Sequence, residues 1–367
     1  MSNTLKFGNG EWYGKEGTIL AYNDLNSNYK PLPFEFERPG TATRVNKEGL
    51  IEVVGNNEPR IDYKDNSEGA LLLEPTRTNL ITYSNDFTNA SWSGTFVGNN
   101  AISPDGTLNA DKFVFTQGAS YPQFYKSVSG LVIGQEYTST IYIKKTENSS
   151  DFEINSSGIP FSPTNEWQRV VKTFTATSTT QTVLLNYVVS VGVGVVNEIY
   201  VAFAQVEQGS YATSYIPTSG GIATRNYDTM PTYLDVKPLN IGNSYTLFLD
   251  ADLNVNDNNK VFGATNNSSD VISFTFRNNV GGIRLYNHID ASYPVSGITS
   301  SNNKFVIRVD GNSYKVFVQG SSLSGTLTTQ RDLGSLNFYG QNTELKINNF
   351  TIDDTALSDA ECEALTS

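Results

Sequence analysis

The stretch "YTSTIYIKK", residues 137–145, decides the fold class because its apolar side chains recur with a period of two. Side chains alternate between the two faces of a β-strand, so Tyr137, Ile141 and Ile143 share one face. Tyr142 lies on the opposite face among threonines. The pattern predicts a strand with a hydrophobic core on one side and a second packed surface on the other.

Similar runs continue on both sides of this stretch, between residues 85 and 217. They have strand length, they are rich in β-branched or alternating apolar residues, and turn residues separate them. They are "DKFVFTQ", "EWQRVVKTFTATS", "TVLLNYVVSV" and "NEIYVAFAQVEQ". About eight short strands in one segment are typical of a jelly-roll β-sandwich. We therefore predict a carbohydrate-binding-module-like jelly roll over residues 85–217.

A second β-sandwich is predicted over residues 218–367. Its clearest element is "FVIRVDGNSYKVFVQG", residues 305–320, in which two alternating runs flank an Asp-Gly-Asn turn, as in a β-hairpin. The chain ends with "SDAECEALTS", residues 358–367, a helix that Ser358 and Glu361 would open with a capping box. We expect this helix to pack as a short terminal plug.

Residues 1–84 contain shorter strand signals, such as "GLIEVV" and "ALLLEP", between turn-forming segments. We predict a small β-rich attachment module or collar for this part. The whole chain is therefore predicted to be all-β, with a module at 1–84, a jelly roll at 85–217, a sandwich at 218–367 and one C-terminal helix.

The segment "GSYATSYIPTSGGIATR", residues 209–225, separates the two predicted sandwiches. It is too aromatic for a plain flexible linker, and we expect it to cross a face of the first sandwich with Tyr211 and Tyr215 as anchors. Its last residues, "GIATR", resemble "GTATR" at residues 40–44. This similarity between the two segments suggests that residues 85–215 are inserted between two pieces of one framework.

The charge balance excludes several partners. The net charge is −12, which repels nucleic acid and disfavours binding to anionic membranes. Apolar runs are too short for membrane insertion. The first residues lack the apolar core of a signal peptide, so we expect synthesis in the cytoplasm.

The sequence offers little for catalysis. Cys362 is the one cysteine, which excludes a disulfide within the chain, and His288 is the one histidine, which excludes a three-histidine metal site. A GxSxG nucleophile elbow is missing, and so is the laminarinase-type Glu-x-Asp-x-x-Glu pattern. We therefore predict that the protein is not an enzyme.

Several segments resemble a known family. "TRVNKEGLIEVVGNNEPRIDY" and "GALLLEPTRTNLITYSNDFTNASW" look like a module of bacteriophage virion proteins of the tail fibre, head fibre or spike type. "GSYATSYIPTSGGIATR" and "ALSDAECEALTS" are similar to later segments of those proteins. The resemblance implies a carbohydrate-binding-module-like jelly roll, a concanavalin A-like or laminin G-like domain, no catalytic site, and often a trimer.

Glycan binding needs exposed aromatic faces beside hydroxyl-bonding groups. The candidate residues of the first sandwich are Trp92, Tyr121, Phe124, Tyr125 and Trp167, and those of the second are Tyr286, His288, Asp290 and Tyr293. Two alternatives stay open, because Trp92 could seal the core and Trp167 could begin a strand.

No cofactor is predicted apart from one structural Ca²⁺, which jelly rolls of this kind often hold. Its candidate ligands are Asp86, Asp111 and Glu198.

The expected function is adhesion of a virion spike or fibre to a host cell-surface glycan. Residues 1–84 would attach the protein to another virion protein, and a homo-oligomer, favoured as a trimer, would present the sandwiches at the virion surface. The alternatives are a structural or decoration protein that binds no glycan and, less favoured, a polysaccharide depolymerase.

Overall fold

A computed structural model describes residues 4–23, 28–116, 122–147, 149, 153–156, 158–190, 196–231, 234–236, 241–254, 259–265, 270–276, 303–318, 321–326, 333, 335–338 and 344–367. Nearly all of its regular structure is β-strand, with one short helix at the C-terminus, which confirms the predicted all-β class. No helix in this described part is long and apolar enough to cross a membrane.

The elements follow one another along the chain as twenty-nine described strands and one helix. They are β1 (Thr4–Gly8), β2 (Tyr13–Lys15), β3 (Thr18–Asn23), β4 (Asn28–Glu35), β5 (Ala42–Val45), β6 (Ile51–Val54), β7 (Arg60–Asp62), β8 (Ala70–Leu73), β9 (Arg77–Asn79), β10 (Trp92–Ser93), β11 (Phe96–Ile102), β12 (Leu108–Thr116), β13 (Gln123–Ser129), β14 (Glu136–Lys145), β15 (Glu153–Ser156), β16 (Ile159–Phe161), β17 (Gln168–Thr175), β18 (Thr180–Ser190), β19 (Val196–Gln208), β20 (Ala223–Arg225), β21 (Leu234–Asp235), β22 (Ser244–Asn254), β23 (Asn259–Thr265), β24 (Asp270–Phe276), β25 (Asn303–Asp310), β26 (Ser313–Val318), β27 (Ser321–Thr326), β28 (Ser335–Phe338), β29 (Glu344–Asp353) and α1 (Asp359–Thr366).

The chain forms two compact units rather than the three predicted domains. The framework unit combines Met1–Gly49, Val53–Thr76 and Asn226–Ser367. The inserted unit combines Leu50–Glu52 and Arg77–Arg225. The middle sandwich is therefore almost one continuous insertion, which agrees with the suggestion from the repeated "ATR" segment.

The N-terminal strands belong to the framework sandwich and do not form a separate module. β1 pairs with β29 from Thr4↔Asp353 to Gly8↔Asn349. The large sheet has the order β2-β3-β1-β29-β22-β25-β26-β27. In the same sheet β4 pairs with β3, and β8 pairs with both β29 and β7. A second sheet has the order β21-β28-β23-β24. Phe7 lies in the shared core, 5.1 Å from the ring of Phe34 and 5.3 Å from that of Phe350.

The C-terminal elements follow the prediction closely. β25 and β26 form the hairpin, in which Asp310 pairs with Ser313 around Gly311, a residue with a φ of +57°. Helix α1 has Ser358 as its N-cap, with the reciprocal bonds to Glu361 that define a capping box. Cys362 is fully buried against Phe248, Val306 and Phe317, and burial raises the pKa of its thiol to about 11. The helix therefore covers the outer side of the large sheet as a small plug.

A cluster of four buried charges lies in the framework unit. Arg38, Arg60, Glu74 and Asp228 are each no more than 1% exposed. Arg60 donates to Glu74 at 2.5 Å and also to Asp228, whereas Arg38 donates to Asp228 at 3.1 Å. The neighbouring carboxylates raise the pKa of Arg60 above its ordinary value against the opposing effect of burial. The two positive and two negative charges compensate each other inside the protein.

The inserted unit contains two five-stranded antiparallel sheets that share one core. Sheet I has the order β10-β13-β18-β15-β16, and sheet II has the order β11-β12-β19-β14-β17. Ile141 and Ile143 of β14 are fully buried in this core, together with Tyr137. The prediction for the core-facing side of "YTSTIYIKK" is thus confirmed.

Candidate functional site

Two of the predicted glycan-binding residues are core residues instead. Trp92 is 5% exposed, and its ring lies 4.4 Å from that of Phe87. Its indole N–H donates to the carbonyl of Tyr83 at 2.9 Å. Phe124 is 1% exposed and packs on Phe113 at 5.0 Å. Neither ring can stack on a sugar, so the assignment of both residues to a binding site is wrong.

This correction gives a testable expectation for Trp92. Replacing it by phenylalanine keeps an apolar ring but removes the N–H bond to Tyr83. We expect a loss of about 1–2 kcal/mol in the free energy of unfolding, with glycan binding unchanged. Urea unfolding and a binding assay on the same sample check both points. Weakened binding at full stability would restore Trp92 as a ligand contact.

Trp167 immediately precedes β17 of sheet II, whereas Tyr125 belongs to β13 of sheet I. Its indole N–H donates to the carbonyl of Ile102 at 3.1 Å, and its side chain is partly exposed. This bond anchors the start of an edge strand, which favours the structural alternative. Tyr121, Tyr286, His288, Asp290 and Tyr293 lie outside the described residues.

The three predicted Ca²⁺ ligands do not converge. Asp111 is buried, and its two oxygens accept the backbone N–H groups of Phe87 at 2.7 Å and Asn99 at 2.8 Å. Glu198 is bonded to Lys112 at 2.9 Å, whereas Asp86 is exposed. Burial raises the pKa of Asp111 despite those two bonds. Within the described residues, no group of three or more acidic, histidine or cysteine side chains is placed to hold a metal ion.

Tyr125 is the predicted site residue that faces outward from sheet I. In β13 the inward side chains Phe124, Lys126 and Val128 are buried, whereas Tyr125 is partly exposed. Lys126 points into the sandwich, where its ammonium group lies 5.4 Å from the centre of the Trp92 ring and donates to the carbonyl of Ser91. Burial lowers the pKa of Lys126.

A β-bulge in β18 brings a second tyrosine to the same outer face. The register pairs Phe124 with Asn186 and Lys126 with Val183, so two residues of β18 oppose Tyr125. One of them, Leu184, has a φ of +52°, a conformation that costs energy for a residue with a side chain. Strict alternation would place Tyr187 on the same side as Val183, in the core. The extra residue reverses this parity, so Tyr187 turns outward and is partly exposed.

Tyr125, Tyr187, Gln123 and Ser93 form a contiguous group that we call the tyrosine face. Gln123 is directly opposite Tyr187, and Ser93 is directly opposite Tyr125. Tyr125 and Tyr187 are diagonal neighbours on adjacent strands, which places them about 7–8 Å apart at the backbone. Two aromatic rings thus flank an exposed amide, an arrangement suited to a ligand with flat apolar surfaces and hydroxyl groups.

Part of the outer face of sheet II is covered by the chain itself. The cover segment, residues 209–217, lies against side chains of β14 and β19 that point away from the core. Glu207 of β19 is fully buried and accepts the backbone N–H of Thr213 at 2.9 Å and its hydroxyl at 2.6 Å. Gln205 accepts the N–H of Ile216 at 2.7 Å. Arg77 approaches Glu207 at 3.7 Å.

Both tyrosines of the cover segment serve as the predicted anchors. Tyr215 stacks on Phe203 with ring centres 4.4 Å apart, and its hydroxyl is 2.6 Å from that of Ser84. Burial raises the pKa of Tyr215. Tyr211 lies under the guanidinium of Arg77, at 5.2 Å. The cover segment therefore lies on the outer side of sheet II, whereas the tyrosine face lies on the outer side of sheet I.

No protein-family model matches this chain, and no curated protein matches it. Among solved structures, the chain is similar to a Trypanosoma rangeli sialidase at 11% identity and a TM-score of 0.31, over 95% of this chain and 65% of that one. It covers 22% of a mutant of the same sialidase that displays trans-sialidase activity. Domain 4 of AbnA, a GH43 arabinanase from Geobacillus stearothermophilus, is similar at 19% identity and a TM-score of 0.30, over 43% of this chain and 82% of that domain.

A CBM4 structure is similar at 14% identity and a TM-score of 0.22, over 45% of this chain and 99% of that one. These proteins contain carbohydrate-active β-sandwich domains. At identities and TM-scores this low, the similarity does not bear on the ligand or the activity of this chain.

Proposed function

We propose that this protein binds a glycan on the tyrosine face of its inserted unit and thereby attaches a virion to the host cell surface. The observation that carries the proposal is the pair Tyr125 and Tyr187, turned outward beside Gln123 on an open sheet. Tyrosine rings stack on the C–H faces of sugars, and an amide bonds their hydroxyls. The resemblance of residues 41–92 and 209–225 to bacteriophage virion proteins supports the virion part of the proposal.

The role proposed is binding without catalysis. A single site of this size binds weakly, and several copies on one particle would gain strength by acting together. A homo-oligomer on the virion would supply such copies, and a trimer is the favoured form.

The test replaces both tyrosines by alanine and measures binding to an array of bacterial surface polysaccharides. We expect Tyr125→Ala/Tyr187→Ala to weaken binding at least about fivefold, because each stacked ring contributes about 0.5–1.5 kcal/mol. Tyr227→Ala is the matched control, since Tyr227 is 36% exposed on the framework unit. Equal binding by the double variant and the unchanged protein would reject this face as the site. Release of reducing ends in the same assay would instead favour a depolymerase.

A second candidate function, a structural or decoration role, is favoured by an apolar surface on the inserted unit. Ile102 and Leu108 are cross-strand partners and are 55% and 59% exposed. Leu50 lies beside the same turn, and its side chain comes close to Gly106. Exposed aliphatic side chains grouped in this way mark protein contacts. Under this alternative the protein would associate with another virion protein and bind no glycan.

A further inference from the structure

We infer that the tyrosine face takes an internal segment of an uncharged polysaccharide, with two of its sugar rings on Tyr125 and Tyr187. This inference rests on the proposed function and names the class of ligand and the way in which it lies. Three features of sheet I support it: the described outward side chains of β10, β13 and β18 are uncharged, the amide of Gln123 lies beside both rings, and the side chains beyond Tyr125 are small.

The outward side chains that the structure describes on β10, β13 and β18 are all uncharged. They are Ser93, Gln123, Tyr125, Ser127, Ser129, Thr180, Thr182 and Tyr187. The one charge of β13, Lys126, points inward over Trp92. On the neighbouring strand β15, the nearest charged residue is Glu153, which pairs with Ser190, three residues beyond Tyr187. Among the described outward side chains of these strands an anionic sugar would find no cation, on a protein whose net charge is −12.

The polar group beside the two rings suits hydroxyls. Gln123 lies opposite Tyr187 and two residues from Tyr125 on the same face. Its amide offers both donors and an acceptor, and a sugar hydroxyl can match either. A carboxylate or sulfate would need donors alone, and its charge would be removed from water without a counter-charge. The face therefore favours a neutral, hydroxyl-rich ligand.

The outward side chains that follow Tyr125 along the sheet are small. Its next cross-strand pairs are Ser127 with Thr182 and Ser129 with Thr180, which join small side chains. The hydroxyl pair of Ser129 and Thr180 is 3.0 Å apart, so these side chains bond to each other and lie close to the sheet. A pocket for a chain end needs a wall, and the described residues in this direction provide none. A long chain can thus continue past Tyr125 along the strands in this direction.

The test uses linear oligosaccharides of two to six sugars from galactan, mannan and glucan, together with their uronic acid counterparts of equal length. Binding of the whole 367-residue chain is measured by calorimetry in low and high NaCl. We expect at least one neutral series to bind, with a six-sugar fragment at least about tenfold tighter than a two-sugar fragment, and with less than a twofold change with salt. Tyr125→Ala and Tyr187→Ala should each weaken the six-sugar fragment about three- to tenfold, while the two-sugar fragment changes less.

The variant Gln123→Lys, which places a cation beside both rings, separates the remaining outcomes. Neutral fragments should bind this variant more weakly than they bind the unchanged protein. Uronic acid fragments should bind weakly to both proteins. Salt-sensitive binding of a uronic acid series to the unchanged protein would overturn the inference and leave the proposed function standing. Equal affinity for two-sugar and six-sugar fragments would indicate end recognition and would also overturn it. Binding of none of the probes, together with silence on the polysaccharide array, would reject both.

Discussion

Replacing Asp228 by alanine is expected to lower the free energy of unfolding of the framework unit by about 3–5 kcal/mol. Asp228 is fully buried and accepts from Arg38, from Arg60 and from the backbone N–H of Glu74. Its removal leaves two guanidinium groups in the interior with Glu74 as the remaining carboxylate of the cluster. A buried charge that loses its partner cannot recover its hydration, and this loss is the physical cause of the destabilisation.

Urea unfolding followed by hydrogen exchange of framework peptides measures this loss separately from the inserted unit. The control is Glu11→Gln, which removes the ion pair of Lys6 and Glu11, whose side chains are 34% and 45% exposed. A change below about 1 kcal/mol is expected there, because water screens such pairs. If Asp228→Ala unfolds at the same urea concentration as the control, the cluster does not stabilise the fold.

Replacing Glu207 by alanine is expected to release the cover segment and to cost about 3 kcal/mol. Glu207 is fully buried and holds both the backbone and the hydroxyl of Thr213, and Gln205 donates to it at 2.7 Å. Without the carboxylate the two Thr213 donors lose their acceptor on β19, and the approach of Arg77 to Glu207 at 3.7 Å is lost. The segment around Tyr211 and Tyr215 should then open more often.

Limited digestion with chymotrypsin, which cleaves after tyrosine, reports this opening directly. We expect faster cleavage at residues 211 and 215 in Glu207→Ala, together with a lower unfolding midpoint. The matched control is Glu198→Ala on the same strand, whose pair with Lys112 is 25% exposed at the glutamate and should contribute less than about 1 kcal/mol. Unchanged cleavage in Glu207→Ala would show that the stacking of Tyr215 on Phe203 holds the segment without the carboxylate.

Local patterns predicted much of this fold correctly. The alternation in β14, the hairpin around Gly311 and the capping box of α1 each involve residues close together in sequence. Their physical causes, side-chain period, turn chemistry and end-group hydrogen bonds, act over a few residues. The anchoring tyrosines of residues 209–217 were also predictable, because aromatic residues in a Gly/Ser-rich segment indicate packing.

The candidate site was only partly predictable. Tyr125 was identified from its polar neighbours, but Phe124 beside it and Trp92 turned out to face the core. Tyr187 was missed because the run "TVLLNYVVSV" gives no sign of a bulge. Glycine often marks such a position, but the bulge here contains Leu184 instead. A residue with a side chain in this conformation is held by the surrounding sheet, so the local sequence cannot reveal it.

The sequence by itself determined that this protein is all-β, that a sandwich is inserted into a framework, and that a tyrosine-bearing segment packs on that sandwich. Tertiary structure decided the rest. It joined β1 to β29 across nearly the whole chain, gathered Arg38, Arg60, Glu74 and Asp228 into one buried cluster, and turned Tyr187 outward. Strand pairing, charge compensation and the parity of a bulged strand depend on partners far away in sequence, and such partners leave no periodic pattern in the chain.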